Sequence, residues 1–137
     1  MKLIITLMLL SPLLLNAQKI GDTQISVTLN DSIDIYKKVK LAFVDLDFIV
    51  KDNYNTDTLT TYPREFASIP GQCRLFAIIK GNIVTMKGIY GLKRINDFGY
   101  AQSPKDYENI IYYKGSKGWE LLKGVAERTG GQITFSR

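Results

Sequence analysis

The stretch Gln72–Tyr90, QCRLFAIIKGNIVTMKGIY, decides the fold of this 137-residue chain. Two β-prone runs flank the dipeptide Gly81-Asn82, which favours a two-residue hairpin turn because glycine readily adopts the positive φ that the first central position of such a turn needs. This turn places Lys80 opposite Ile83 and fixes every other pair of the hairpin. We therefore predict a long antiparallel hairpin with this register.

Only this register leaves one face of the hairpin free of charge, and a slip of one residue would exchange the two faces. The charge-free face is the predicted core face, and it consists of Cys73, Leu75, Ala77, Ile79, Val84, Met86 and Tyr90. The opposite face is called the outer hairpin face, and it consists of Arg74, Phe76, Ile78, Lys80, Ile83, Thr85, Lys87 and Ile89.

Upstream of the hairpin, alternating polar and apolar residues predict a strand over 24–29. Apolar residues at spacings of three and four then predict an amphipathic helix over 32–44, with Asn30, Asp31 and Ser32 as candidate N-caps. Two short β-prone runs at 48–51 and 57–62 flank a turn-rich segment and predict an antiparallel pair.

Downstream, residues 96–108 are polar and have no period, which predicts a long loop that either binds a partner or is mobile. Residues 109–114 predict a further strand. Ser116 is placed to cap a second helix, which Gly130-Gly131 would end, and residues 132–136 predict a short closing strand.

These elements predict an α+β domain with a curved antiparallel sheet of about five to six strands and two helices packed on one face. The order covers most of residues 24–130 and includes the phrases DFIVKD, TLTT and GSKGWELLKGVAERTGG. In these features the chain resembles small exported bacterial domains of unknown function with a TATA-box-binding-protein-like or helix-grip fold. The resemblance implies a binding or assembly role outside the cytoplasm, without an active site to carry over.

Residues 1–17 are predicted to be a cleavable signal peptide. Lys2 supplies its positive start, an apolar run follows to Leu15, and Ala17 precedes the expected cut before Gln18. The run is short for a membrane span, although a retained N-terminal anchor is the alternative. We expect a periplasmic or secreted chain with a single domain over 18–137 and no transmembrane segment after cleavage.

The chain contains no histidine and one cysteine, Cys73. This composition excludes an intramolecular disulfide, histidine-dependent nucleophilic catalysis and histidine-ligated zinc. Because Cys73 falls on the predicted core face, we expect a buried, inert thiol. We predict a non-enzymatic protein with no cofactor and no metal site.

Basic residues are concentrated in the second half, where residues 73–137 hold eleven basic and five acidic side chains. An envelope protein or an anionic surface is therefore the expected partner. The predicted contact residues are Arg74, Phe76, Ile78 and Lys87 of the outer hairpin face, with Lys114 and Lys117 at the start of the second helix. Nucleic acid is not expected, because the outer hairpin face has a single aromatic residue and the chain is predicted to be exported. Cover by the 96–108 loop is the alternative explanation of this apolar face.

A small-ligand carrier is the second hypothesis. Its pocket would lie between the sheet and the helices, and it would be lined by Cys73, Met86, Tyr90 and Trp119. An open pocket at these residues would favour the carrier, whereas a filled core would favour the binding module.

Overall fold

A computed structural model describes residues 17–31, 33–51 and 57–137 of the chain. Within these ranges the protein is α+β, with a large antiparallel sheet and two helices, as predicted. The predicted signal peptide falls on residues 1–17, and residues 1–16 lie outside the described part.

The elements of the described chain are β1 (Gln24–Thr28), α1 (Ile35–Val44), β2 (Val50–Lys51), β3 (Thr58–Thr61), β4 (Arg64–Glu65), β5 (Gly71–Lys80), β6 (Ile83–Leu92), β7 (Arg94–Ile95), β8 (Ala101–Gln102), β9 (Glu108–Asn109), α2 (Lys117–Thr129) and β10 (Gln132–Ser136).

The main sheet runs in the order β10-β1-β6-β5-β3-β2, with β4 added beside β5 and β9 beside β6. Its neighbouring strands are antiparallel. The predicted pairing of the two short strands before the hairpin is confirmed, since Val50 of β2 lies opposite Thr61 of β3. Because β10 pairs with β1, the first and last strands of the described chain are neighbours in the sheet.

The hairpin register is confirmed along its predicted length, from Lys80 opposite Ile83 to Cys73 opposite Tyr90. Gly81 has a φ of 59°, as the two-residue turn requires. The fully buried side chains of the predicted core face are those of Cys73, Leu75, Ala77, Val84 and Met86, while Ile79 and Tyr90 are partly buried.

Helix α2 follows the prediction at both ends. The Ser116 hydroxyl accepts a 3.3 Å hydrogen bond from the backbone N–H of Trp119, and Gly130 ends the helix in the left-handed region with a φ of 86°. Its buried residues and those of α1 join one hydrophobic core with the charge-free hairpin face. Both helices therefore pack on one face of the sheet, and neither described helix is long and apolar enough to cross a membrane.

The predicted start of the first helix is wrong. Helix α1 begins at Ile35, after Asp34 with a φ of 54° and without a side-chain capping bond. The Asp31 carboxylate instead accepts a 3.2 Å hydrogen bond from the N–H of Ile33. This local turn competes with an N-cap, which is the usual alternative for an aspartate before a helix. Ser32 lies outside the described residues.

The predicted strand over 109–114 is wrong beyond Asn109. The Ile110 N–H still donates to the Gly88 carbonyl at 2.8 Å, but the next backbone bond joins the Tyr112 N–H to the Asp22 carbonyl. The side chain of Ile110 is buried between two glycines, and a Cβ on Gly88 would lie 2.6 Å from its Cδ1. The chain leaves the sheet here because Ile110 fills the core.

The 96–108 segment is not a loop throughout. Strands β7 and β8 form a small hairpin, with Arg94 opposite Gln102. The Asn96 side-chain oxygen accepts hydrogen bonds from the N–H groups of Phe98 and Tyr100, at 3.0 and 2.8 Å. An asparagine that bonds to its own following backbone is a strong turn former, and this turn chemistry closes the small hairpin.

Candidate binding surface

The outer hairpin face points away from both helices, because its side chains alternate with those of the core face. Near the Gly81-Asn82 turn it is open to solvent. Ile78 is 36% exposed and Ile83 is 43% exposed. Phe76 is half-buried, and the side chains of Lys80 and Lys87 are exposed. We call these five residues the turn-end patch.

The other end of the outer hairpin face is covered by residues 104–107. A Cβ on Gly91 would lie 2.5 Å from the Cβ of Pro104, so the two backbones approach closely. The Tyr107 ring lies 5.4 Å from the guanidinium of Arg74, and its hydroxyl donates a 3.3 Å hydrogen bond to the Gln72 side chain. The part of the sheet around Arg74 is therefore shielded by the chain itself.

Arg74 is therefore less accessible to a partner than the two lysines of the turn-end patch. Its Nε atom is buried and has no hydrogen-bond partner among the described residues. Stacking on an aromatic ring is a common use of arginine and holds the side chain against the protein. A partner that approaches this face meets Lys80 and Lys87 first.

Hydroxyl groups surround the turn-end patch on the neighbouring strands. Thr28 of β1 lies opposite Ile83, and Thr58 of β3 lies opposite Ile78. The outward positions of β1, β3, β5, β6 and β10 carry neither aspartate nor glutamate. This surface is therefore apolar at its centre, polar around it and positive in charge.

Lys114 and Lys117 lie elsewhere, at the start of α2 on the side of the sheet that carries the helices. The Lys117 ammonium is 3.3 Å from the Glu120 carboxylate, and both side chains are more than half exposed. An exposed pair of this kind contributes little to stability. The structure thus brings Phe76, Ile78 and Lys87 together, and it places the two helix lysines apart from them.

The residues of the predicted interior pocket are mostly packed into the core. Cys73 and Met86 have no exposed surface, and Trp119 is 2% exposed. The Trp119 ring contacts Tyr112 and Phe135, at centroid distances of 5.7 and 6.1 Å. Burial raises the pKa of the Cys73 thiol to about 11, and the positive charge of Arg64 opposes part of this rise. A neutral, buried thiol is a poor nucleophile and a poor metal ligand.

Tyr90, the fourth predicted pocket residue, lies at the rim of the core. Its hydroxyl donates a 3.2 Å hydrogen bond to the Glu108 carboxylate. Burial, followed by this hydrogen bond and the negative charge of Glu108, raises the pKa of Tyr90 above its ordinary value. Tyr90 therefore stays protonated at neutral pH and acts as a donor.

Tyr90 also lines a pocket of about 330 Å³, here called the rim pocket, that the sequence did not predict. This pocket lies between the connection before β5, the segment after β9 and the start of α2, and its apolar wall is formed by Phe66, Ile69, Tyr90, Ile110, Ile111 and Tyr113. Its volume is at the lower end of the range for small-molecule sites. The sequence signal for this pocket is weak. It consists of Ile69, an apolar residue in a predicted connection, and Ile111, an apolar residue in a predicted strand, and both side chains are exposed in the structure.

Among residues 17–31, 33–51 and 57–137, no three His, Cys, Asp or Glu side chains gather as a metal site. Comparison with protein-family models, curated proteins and solved structures finds no match for this chain. The resemblance to TATA-box-binding-protein-like and helix-grip domains therefore stays a prediction.

Proposed function

We propose that this protein is a non-catalytic binding module of the bacterial envelope, which holds an acidic protein surface against the turn-end patch. The observation that carries the proposal is the exposure of Ile78 and Ile83 near the hairpin turn, on a surface where the outward positions of β1, β3, β5, β6 and β10 lack carboxylates. Exposed apolar groups enclosed by polar ones are typical of protein interfaces. The lysines beside them complement negative charge.

The proposed compartment and the non-catalytic role rest on the sequence. The N-terminal segment has the pattern of a signal peptide, and its cleavage before Gln18 would deliver the domain to the periplasm or the medium. The chain has no histidine, and its single thiol is buried. These features support binding rather than catalysis, and the resemblance to exported TATA-box-binding-protein-like domains points the same way.

Site-specific photo-crosslinking in the producing cell tests the proposal. A benzoylphenylalanine in place of Ile83 should capture a discrete protein partner. The same probe in place of Leu41, which is 52% exposed on α1, is the matched control and should not capture it. Equal capture from both positions would contradict the proposed surface.

Once the partner has been captured, charge reversal distinguishes the contributions of the two groups of lysines to its affinity. Replacement of Lys80 and Lys87 by glutamate should weaken binding by about tenfold or more and should remove much of its salt dependence. Lys114→Glu with Lys117→Glu should have the smaller effect. Phe76→Ala and Ile78→Ala should each reduce affinity by removing apolar contact.

The opposite ranking, with loss only from the helix lysines, would move the contact surface to the start of α2. If the protein binds phosphatidylglycerol vesicles as strongly as it binds the captured protein, the partner would be an anionic membrane and not a protein.

The rim pocket supports a second candidate, the small-ligand carrier. Its apolar wall and its volume of about 330 Å³ would accept a compact aromatic or aliphatic ligand. Saturable binding of 1-anilinonaphthalene-8-sulfonate tests this candidate. Ile111→Lys should abolish the binding, whereas Ile95→Lys, at an exposed residue of β7, should not. Equal binding to both variants would exclude the rim pocket as the site.

A further inference from the structure

Strand β10 ends the main sheet with an exposed hydrogen-bonding edge. Its five residues, Gln132–Ser136, pair with β1 on one side, and no strand of the described chain pairs with the other side. The strand carries neither a charge nor a proline. Charged residues and prolines are what natural edge strands usually use to avoid pairing with another chain, and β10 lacks both.

The opposite end of the sheet is built differently. Strand β2 has two residues, and one of them is Lys51, whose ammonium lies 5.0 Å from the centre of the Tyr62 ring. A short edge with a charged side chain is a poor template for a further strand. The two ends of the main sheet therefore differ, and β10 is the one suited to pairing.

The sequence of β10 is complementary to itself. An antiparallel pair of two β10 strands centred on Thr134 would place Gln132 opposite Ser136 and Ile133 opposite Phe135. Ile133 and Phe135 are partly buried and pack against the core, so the pairing would bring apolar side chains together on the core side. Thr134 is exposed on the outer side and would face its own copy.

We propose that two copies of this chain associate through antiparallel pairing of their β10 strands, with the two-fold axis at Thr134. The free N–H and C=O groups of each edge then bond to the other copy, which is the usual chemistry of strand addition. The six successive strands of each copy then join into one continuous series of twelve paired strands. Both turn-end patches then lie on the same side of the joined sheet. The inference is independent of the proposed function.

Sedimentation velocity over a hundredfold concentration range tests the pairing, with the protein in the form that the cell produces. The wild type should show a reversible equilibrium between monomer and dimer. Thr134→Lys should raise the dissociation constant of the dimer by at least about tenfold, because two lysines would face each other across the axis. Thr85→Lys, the same change on the same face but two strands from the edge, should leave the dimer intact.

Disulfide trapping tests the register without relying on the stability of the lysine variant. Opposite residues of paired strands lie close enough for a disulfide. Thr134→Cys should therefore give a covalent dimer when diamide accepts the two electrons and two protons of the thiols. Thr85→Cys should form the dimer without a covalent link, and Cys73 is buried in the native fold. The proposal would be overturned if the wild type is monomeric at all concentrations. It would also be overturned if Thr134→Lys leaves the dissociation constant unchanged and Thr134→Cys gives no covalent dimer.

Discussion

The indole Nε1 of Trp119 donates a 3.1 Å hydrogen bond to the side-chain oxygen of Gln18, 101 residues earlier in the chain. Trp119 is almost completely buried, and a buried indole N–H needs a partner. The same N-terminal segment is held by backbone bonds between Gly21 and Tyr112 and between Tyr112 and Asp22. The residue predicted to begin the processed protein is thus attached to the core through α2.

Gln18→Ala should lower the free energy of unfolding by about 1 kcal/mol, because the change leaves the Trp119 N–H without its partner. Urea unfolding followed by the fluorescence of Trp119 measures this difference. Gln102→Ala, at an exposed position of β8, is the matched control and should have no measurable effect. Equal stability of the two variants would mean that the bond does not stabilise the fold.

The processed protein should begin at Gln18, because the apolar run and Ala17 form the predicted cleavage pattern. Intact-mass analysis of protein recovered from outside the cytoplasm checks this. Cyclisation of Gln18 to pyroglutamate would lower the mass by one ammonia and would keep a carbonyl acceptor on the residue. A mass that still includes residues 1–17 would instead support the retained anchor.

Cys73 should resist thiol reagents in the native protein and react after denaturation, because its side chain has no exposed surface. Time-resolved labelling with a maleimide and mass detection measures both rates. Cys73→Ser should lower the free energy of unfolding by about 1–3 kcal/mol, since the site is apolar and offers the hydroxyl no assured partner. Rapid native labelling is the result that would contradict the burial.

The stability of the native state should depend on Cys73 at alkaline pH. The thiol of the unfolded chain ionises near its ordinary pKa of 9.0, whereas the native thiol has its pKa raised to about 11. The unfolded state therefore loses its proton first. The contribution of the protonated thiol is fully present below pH 9 and is lost as the pH rises to about 11.

The size of this loss should be about 2–3 kcal/mol. Chemical unfolding of the wild type and of Cys73→Ala across this range measures it, because the contributions of all other groups are common to both proteins and cancel in the difference. Parallel pH profiles would show that the thiol does not contribute.

Gly91→Ala should displace the segment that covers Arg74. The new Cβ would lie 2.5 Å from the Cβ of Pro104 and 2.7 Å from the Asp106 carbonyl oxygen, and the latter is backbone that cannot rotate away. We expect a loss of about 1–3 kcal/mol in the free energy of unfolding and faster proteolysis within 96–108. Limited proteolysis with mass mapping checks the second effect. Unchanged cleavage would mean that the segment tolerates the methyl group.

The hairpin register could be predicted because two independent signals agree. The Gly81-Asn82 turn allows one pairing, and the alternation of charge selects the same pairing. The ends of α2 were also predictable, since Ser116 and Gly130 act through bonds and φ angles that depend only on nearby residues. Local chemistry was sufficient in both cases.

Other features depend on contacts between distant residues. The apolar run after Asn109 predicts a strand, but Ile110 lies in the space that Gly88 and Gly118 leave open. The cover of Arg74 by Tyr107 and the pocket beside Tyr90 likewise join segments that are separated in the chain. Periodicity describes the faces of single elements and contains no information about such contacts.

The position of β1 between β6 and β10 governs when the protein can fold. Both neighbours of this strand are synthesised after it, and Gln24 hydrogen-bonds to Arg137, 113 residues later. Contacts between such distant parts of the chain form slowly because the long intervening loop must close first. The growing chain cannot complete this sheet until β10 has been made. One edge of β1 can pair once β6 has been made, whereas its other edge stays unpaired until β10 follows.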